Sequence, residues 1–308
     1  MYPPDALGIV KSTGAVTYTL TSITPTNFSP PSPPTLVVYT WTGVSTPSES
    51  RQIGPGVTRL NVPSGTTQVN LVFWGAGGSG GAFILDPTRY GSGSGGAGGS
   101  TIFYVADATD LISIVLSVAT ETTSVGQVGG DTTVTLFYRN RTDTFVASGG
   151  NPGTTSTTTS TPGGTGRGFS FIYQSQSVNP PPNFIGVNGT TGGNSSQFVN
   201  PGGRTTGGNG QNHPTSGELG GIGGTATDQG LGQPVFNAPG GGGAGYQGRG
   251  GSALNFVFEG TSPGQITVFT AGSAGPISGP GGGGAGQAPV DAPGVTTGGA
   301  GGALVTFT

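Results

Sequence analysis

The stretch VNLVFWGAGGSGG at residues 69–81 decides the fold, because two kinds of backbone meet within it. Its first half, VNLVFW, alternates with the period of two that indicates a β-strand with one buried face. Its second half, GAGGSGG, carries no side chain larger than that of serine and has no apolar face to bury. The sequence therefore predicts a sheet whose strand continues directly into a glycine segment of another conformation.

Similar glycine runs recur along the chain. The pattern GGxGGx occurs four times, and longer runs occupy residues 240–243 and 281–284. A repeat of three matches the polyproline-II helix, and glycine leaves two of its three ridges bare, so that neighbouring segments can approach closely. We therefore predict a polyglycine-II helix bundle, with a flexible Gly/Ser linker as the alternative. The glycines predicted to pack in this bundle are Gly77, Gly78, Gly80, Gly81, Gly95, Gly96, Gly98, Gly99, Gly220, Gly221, Gly223, Gly224, Gly298, Gly299, Gly301 and Gly302.

The rest of the chain predicts an all-β fold with essentially no α-helix. Gly and Pro, the two poorest helix formers, supply 66 and 25 of the 308 residues. Short β-branched and aromatic stretches separated by turn residues are typical of a short-strand β-sandwich or partial barrel. The predicted strands are 15–23, 36–42, 57–62, 69–74, 101–105, 111–118, 132–138, 144–147, 254–258, 265–270 and 304–307.

The chain divides into four regions by composition. Residues 1–35 are an extended leader, with one strand candidate and a stiff proline strap, SPPSPPT. Residues 36–148 are a β-rich domain with the first glycine runs, and residues 149–250 hold glycine-rich low-complexity loops and polyglycine-II segments. Residues 251–308 hold a hairpin, glycine runs and a final strand, and we expect them to form one body with residues 36–148.

Two narrower expectations follow from this division. The stretches that start at Gly98 and Gly250 match each other at several positions, and each predicts a glycine run that feeds a β-hairpin. The stretch TTSTTTSTPGGTG at 154–166 predicts a flexible or solvent-facing loop. A side chain added at the neighbouring Gly153 should then be tolerated, whereas one added at Gly78 or Gly301 should not.

The titratable residues form no pattern that indicates catalysis. Charged residues are 7% of the chain, the net charge is −3, and without Cys there is no thiolate metal site. The sole histidine, His213 in GQNHPTSG, is predicted to be an exposed loop residue, and Asp107 and Asp110 are predicted to shape a hairpin turn, with calcium binding as the alternative. We therefore expect no enzyme activity and no catalytic, cofactor-binding or metal-binding residues.

The composition also bears on large partners. The arginines are dispersed and the net charge is negative, so we expect no nucleic-acid binding. No apolar run approaches the roughly 18 residues of a membrane span, and the first residues lack a signal-peptide core, so we expect neither membrane insertion nor secretion. Five aromatic residues lie near glycine runs, where they either contact a receptor or glycan or cap the bundle: Tyr90, Tyr173, Phe184, Phe198 and Tyr246.

The stretches VNLVFWGAGGSGG (69–81), GSGGAGGSTIFYV (93–105) and the closing GGAGGALVTFT (298–308) carry a resemblance. Together they resemble the glycine-rich domain of virus surface proteins, which occurs in bacteriophage tail fibres and tail-tip adhesins and in virion proteins of large DNA viruses. The resemblance implies a non-enzymatic structural protein of a virus particle, either a minor capsid or a surface fibre component, assembled in the host cytoplasm. A receptor-binding adhesin at a tail-fibre tip and an extracellular glycine-rich fibre or matrix protein are the alternatives.

The leader suggests how such a protein finds its neighbours. Residues 1–35 contain one strand candidate, and a lone strand is not stable without a pairing partner. We therefore expect residues 1–35 to dock onto other virion proteins. A host surface receptor or glycan is the other expected partner.

Overall fold

The computed structural model describes residues 10–11, 17–22, 36–42, 50–86, 89–156, 159–177, 179–198, 204–228, 236–262, 265–269, 278–287 and 296–308. Within these ranges the chain forms β-strands and no helix, which confirms the all-β prediction. The strands are β1 Val10–Lys11, β2 Thr17–Ser22, β3 Leu36–Thr42, β4 Ser50–Ile53, β5 Gly56–Asn61, β6 Gln68–Trp74, β7 Ile84–Asp86, β8 Arg89–Gly91, β9 Thr101–Asp107, β10 Leu111–Val118, β11 Thr132–Tyr138, β12 Thr142–Ala147, β13 Phe169–Ile172, β14 Phe184–Val187, β15 Ser196–Phe198, β16 Arg204–Thr206, β17 Thr225–Asp228, β18 Phe236–Ala238, β19 Phe256–Ser262, β20 Gln265–Phe269 and β21 Gly302–Phe307. A search of these ranges for a helix long and apolar enough to cross a membrane finds none.

Two large sheets form the body of the molecule. One has eight strands in the order β1-β2-β3-β5-β10-β11-β12-β13, and the other has five in the order β14-β9-β6-β21-β4. Neighbouring strands pair antiparallel, except that β3 and β5 are parallel. Neither sheet closes on itself among the described strands, so the fold is sandwich-like and these strands form no closed barrel.

The core lies between these two sheets and follows from the alternation of their strands. In β10, Ile114 and Leu116 are fully buried while Ile112 is 54% exposed. Tyr104 of the five-stranded sheet meets Phe145 of the eight-stranded sheet, with ring centroids 4.6 Å apart. The two sheets therefore bury their inner faces against each other, as the period of two predicts.

Strand positions predicted from alternation agree closely with the structure, but one pairing prediction was wrong. Strands β3, β10 and β11 have the predicted bounds, and β19 pairs with β20 as the predicted hairpin. The stretch from Gly98, however, is not a hairpin, because β9 pairs with β6 and β14 while β10 pairs with β5 and β11. The turn at 107–111 instead carries the chain from one sheet of the sandwich to the other.

The premise that the leader holds an unpaired strand was also wrong. Strand β2 pairs with β3 along six residues, and β1 pairs with β2. Both leader strands thereby extend the eight-stranded sheet. The proline strap lies outside the described residues.

Seven strands of the sandwich run into glycine segments, and all do so at the same end. The residues at this end pair with one another, as Trp74 does with both Thr101 and Gly302. Beyond the glycine segments lie two small sheets, β15-β18-β8-β7 and β16-β17-β19-β20. The glycine segments therefore lie between the sandwich and these small sheets. We call the end of the molecule that carries the small sheets the far end.

The sandwich core predicts a contrast between two phenylalanines. Phe145 is fully buried, whereas Phe137 is 37% exposed. Replacing Phe145 with Ala should lower the free energy of unfolding by about 3–5 kcal/mol, and replacing Phe137 with Ala by about 1 kcal/mol or less. Chemical denaturation of both variants measures this, and equal losses would contradict the assignment of the core.

Candidate functional site in the glycine bundle

The glycine segments pack side by side into one body, which we call the glycine bundle. Its members exchange backbone hydrogen bonds with segments that are remote in sequence. Their glycines are mostly buried, including all residues from 91 to 100. The bundle comprises residues 75–81, 93–100, 126–130, 148–154, 161–167, 189–195, 207–212, 219–224, 239–245, 248–254, 279–287 and 296–302.

The hydrogen bonds of segment 75–81 show the conformation directly. Residues 75, 78 and 81 donate their amides to carbonyls of segment 94–100, at distances of 3.0, 2.9 and 2.9 Å. Residues 76 and 79 donate to segment 127–130, and residues 77 and 80 donate to segment 296–299. The acceptor segment therefore changes with every residue and returns after three, which is the repeat of a polyproline-II helix.

Segment 93–100 lies at the centre of this arrangement. Its amides donate in rotation to segments 281–287, 148–154 and 190–193. Its carbonyls accept from segments 75–81 and 240–243 and from Gly164. One segment thus contacts six neighbours, and the fold prediction of a polyglycine-II bundle describes this packing.

The absence of side chains is what permits this spacing. A Cβ added at Gly96 would overlap the carbonyl oxygens of Gly78 and Ser79, and one added at Gly99 would overlap that of Gly75. Twelve of the other glycines singled out in the sequence likewise face a neighbouring carbonyl oxygen. Two differ in kind: Gly301 meets the Thr132 hydroxyl first, and Gly302 meets the Trp74 ring.

The expectation that Gly153 belongs to a flexible loop was wrong. Its amide donates to the Ser79 carbonyl, and an added Cβ would overlap the Ser94 carbonyl oxygen. The threonine-rich stretch beyond it is anchored as well, because Thr161 and Ser195 are buried with their hydroxyls 2.8 Å apart. Hydroxyl side chains at the bundle surface can bond to its carbonyls, so a low-complexity stretch need not be a linker.

Trp74 joins the bundle to the sandwich. Its ring is 1% exposed and lies beneath Gly281 and Gly302, where a Cβ would strike it. The Tyr246 ring packs against both Trp74 and Phe103, with centroid distances of 5.4 and 5.3 Å. The largest side chain of β6 therefore fills the space where strand conformation changes to glycine helix.

His213 is buried rather than exposed, which corrects the sequence prediction. It is 1% exposed, and its Nδ1 accepts hydrogen bonds from the amides of Thr215 and Ser216 at 3.3 and 3.1 Å. Because Nδ1 accepts, Nε2 carries the proton and faces the Thr101 hydroxyl at 3.3 Å. Burial lowers the pKa of His213 below its usual range, so the ring holds its turn in the neutral form.

The five aromatic residues singled out in the sequence lie in four different places. Phe184 packs against Phe145 and Phe171 beside the core, and Tyr246 packs between Trp74 and His213. The backbones of Tyr90 and Phe198 lie in one small sheet at the far end, where both residues pair with Phe236. Tyr173 lies at the opposite end of the molecule and lines a cleft in the sandwich.

The aspartates predicted to shape a turn do so, although the turn is not that of a hairpin. Asp107 accepts a hydrogen bond from the Thr109 amide at 2.8 Å, which lowers the pKa of its carboxyl. Asp110 has a φ of 61° and lies 3.5 Å from the Arg139 guanidinium. In the described ranges no three His, Cys, Asp or Glu side chains are grouped closely enough to hold a metal ion.

One known protein family matches this sequence over the residues that form most of the sandwich and the glycine bundle. Residues 53–308 match the family described as a glycine-rich domain, so the chain belongs to that family. The match includes most of the sandwich and the whole glycine bundle. A comparison with curated proteins found no match.

The packing of the bundle predicts how two glycines respond to the same substitution. Gly78→Ala places a methyl group against the Asn151 carbonyl and should lower the free energy of unfolding by about 1–3 kcal/mol or more. Gly54→Ala is the matched control, because nothing lies within 4 Å of its added Cβ. It should leave stability unchanged or raise it by about 0.4–1 kcal/mol, since alanine restricts the unfolded chain. Equal effects in thermal unfolding would contradict the close packing.

The buried histidine predicts acid sensitivity with a defined sign. The lowered pKa means that the unfolded chain binds a proton more readily than the folded one. The contribution of His213 to stability is therefore complete above about pH 6.5 and declines as the pH falls below that value. His213→Asn keeps an acceptor for the turn but cannot titrate, so its melting temperature should fall less between about pH 7.5 and about pH 5.5. His213 is the only histidine of the chain, and parallel pH profiles would refute its role.

Proposed function

We propose that this chain is a non-enzymatic structural protein of a virus particle, either a surface fibre element or a minor capsid component. The single observation that carries the proposal is the hydrogen-bond lattice of the glycine bundle. Segment 93–100 is held from six sides by backbone bonds, without any contribution from titratable side chains. Such a lattice makes a stiff body that carries little charge.

Several features support a mechanical role. Backbone amides that are bonded and buried are poorly accessible to proteases, because cleavage requires local opening. The buried polar groups serve packing, as His213 does for its turn and Asp143 for its neighbours. The glycine motifs resemble those of virus surface proteins, and this resemblance is the reason for proposing a virus particle rather than another assembly. Docking onto other virion proteins through residues 1–35 is part of the proposal. Because β2 pairs with β3 of the same chain, this docking would use the outer edge of the eight-stranded sheet at β1 rather than a lone strand.

A second candidate is a receptor-binding adhesin at a fibre tip. The observation in its favour is that the backbones of Tyr90 and Phe198 lie in the same small sheet at the far end. A stiff bundle that ends in short strands and connecting segments displays them at a fixed position, which lowers the entropy cost of binding. The two candidates differ in where the chain lies on a particle.

Locating the chain tests both candidates. Quantitative mass spectrometry of purified virus particles should find it at a fixed ratio to the major capsid protein. Immunogold labelling with an antibody against the folded chain should then mark the capsid surface or the fibre shaft for a structural component, and the fibre tip for an adhesin. As the control, antibody that has first been adsorbed with the purified protein should give no labelling. Abundance in cell extracts with absence from particles would refute both.

A further inference from the structure

The end of the sandwich opposite the bundle carries an open cleft of about 530 Å³. It is formed where β6 begins, where β9 and β13 end and where the chain enters β12 and β14, so five separate parts of the sequence meet there. This volume lies in the range of small-molecule sites. Polar and aromatic side chains line the cleft together, including Gln68, Tyr104, Asp107, Arg141, Tyr173 and Asn183.

Arg141 is held in place within this cleft. Its Nε lies 3.1 Å from an oxygen of Asp143, which is completely buried, while the Arg141 side chain remains 39% exposed. Its guanidinium carbon lies 3.9 Å above the ring of Tyr138 and 5.8 Å from that of Tyr173. Asp143 accepts from Nε and the Tyr138 ring lies against the guanidinium, so Arg141 is held at a fixed position from which its terminal N–H groups can donate to a ligand.

The same carboxylate also fixes a second part of the lining of the cleft. Asp143 also accepts a hydrogen bond from the Gln174 amide at 2.9 Å. Gln174 and Ser175 have φ values of 48° and 62°, a conformation that residues other than glycine seldom adopt. Such strain persists where surrounding contacts impose it, and it concentrates at binding sites. One buried carboxylate thus orders both the arginine and the turn that follows Tyr173.

The charges of the cleft define the class of ligand. Arg141 pairs with Asp143 and also acts electrostatically on Asp107, so the three groups together carry one net negative charge. The hydrogen bond from the Thr109 amide lowers the pKa of Asp107 and keeps it ionised. A carboxylate there repels anions and accepts from hydroxyl groups, while Arg141 donates to them. The ring of Tyr173 adds an apolar face between these polar groups.

We propose that this cleft binds a neutral saccharide. Asp107 accepts from one sugar hydroxyl, Arg141 donates to another, and the Tyr173 ring packs against the C–H face of the sugar. The amide groups of Gln68 and Asn183 can donate to and accept from the remaining hydroxyls. The site rests on its own geometry and is independent of the place of the chain in a particle.

Saturation-transfer NMR on the full chain tests this site with the methyl glycosides of glucose, galactose, mannose and N-acetylglucosamine. At least one should bind, with a dissociation constant of about 1 mM for a ligand of this size. Asp107→Asn keeps the acceptor for Thr109 but removes the charge, and should weaken binding about tenfold or more. Tyr173→Leu should weaken binding comparably, because the aromatic face is lost.

Asp110→Asn is the matched control, because Asp110 lies in the same turn but does not line the cleft. It should bind the sugar within about twofold of the unaltered chain, as expected for a group outside the site. Absence of binding by every neutral glycoside would overturn the proposal, and so would tighter binding of 3′-sialyllactose or inorganic phosphate. Equal weakening by Asp107→Asn and Asp110→Asn would also overturn it.

Discussion

The structure depends on the close approach of backbones that have no side chains between them. In the glycine bundle successive amides find their acceptors on three different neighbours in rotation, as residues 75–81 show, and this requires segments to pack on every side. The amides and carbonyls of a β-strand bond to two neighbouring strands, whereas those of segment 93–100 bond to six neighbouring segments. A single methyl group at Gly96 would overlap two carbonyl oxygens of segment 75–81 at once. Glycine is therefore required here by packing density rather than by flexibility.

Such a lattice cannot form from its own sequence alone, and the sandwich supplies what it lacks. Glycine loses more conformational freedom on ordering than other residues and buries no apolar surface in return. The strands that enter the bundle are anchored in a core of large side chains such as Phe73 and Phe145. Trp74 stands at the junction and sets the spacing at which the first glycines meet. The register of the sheets is thereby transmitted to the glycine segments.

The local sequence pattern predicted the positions of the strands and glycine segments well, but it predicted poorly which segments they pair with. Strand β10 has the predicted bounds because LISIVLSV alternates over its whole length, and the repeat of three predicted the glycine conformation. The pairing of β9 was wrong because pairing depends on sheets assembled from distant residues. The burial of His213 was missed because the Gly-rich sequence around it carries no apolar pattern. The Arg141 cleft had no signal beyond an Arg and an Asp two residues apart, since its walls come from five parts of the chain.

The rigid interior of the glycine bundle is separate from the parts of the molecule that carry exposed side chains. A bundle whose buried glycines leave no room for a Cβ cannot carry large side chains for binding along its interior, so chemistry is confined to its surface and to the two ends of the molecule. The far end offers short strands and their connections, and the opposite end offers a cleft whose arginine is fixed by a buried carboxylate. Because strands β6 and β9 run from that cleft into the bundle, the two ends are held by one continuous backbone. The glycine bundle thus holds the two ends of the molecule at a fixed separation.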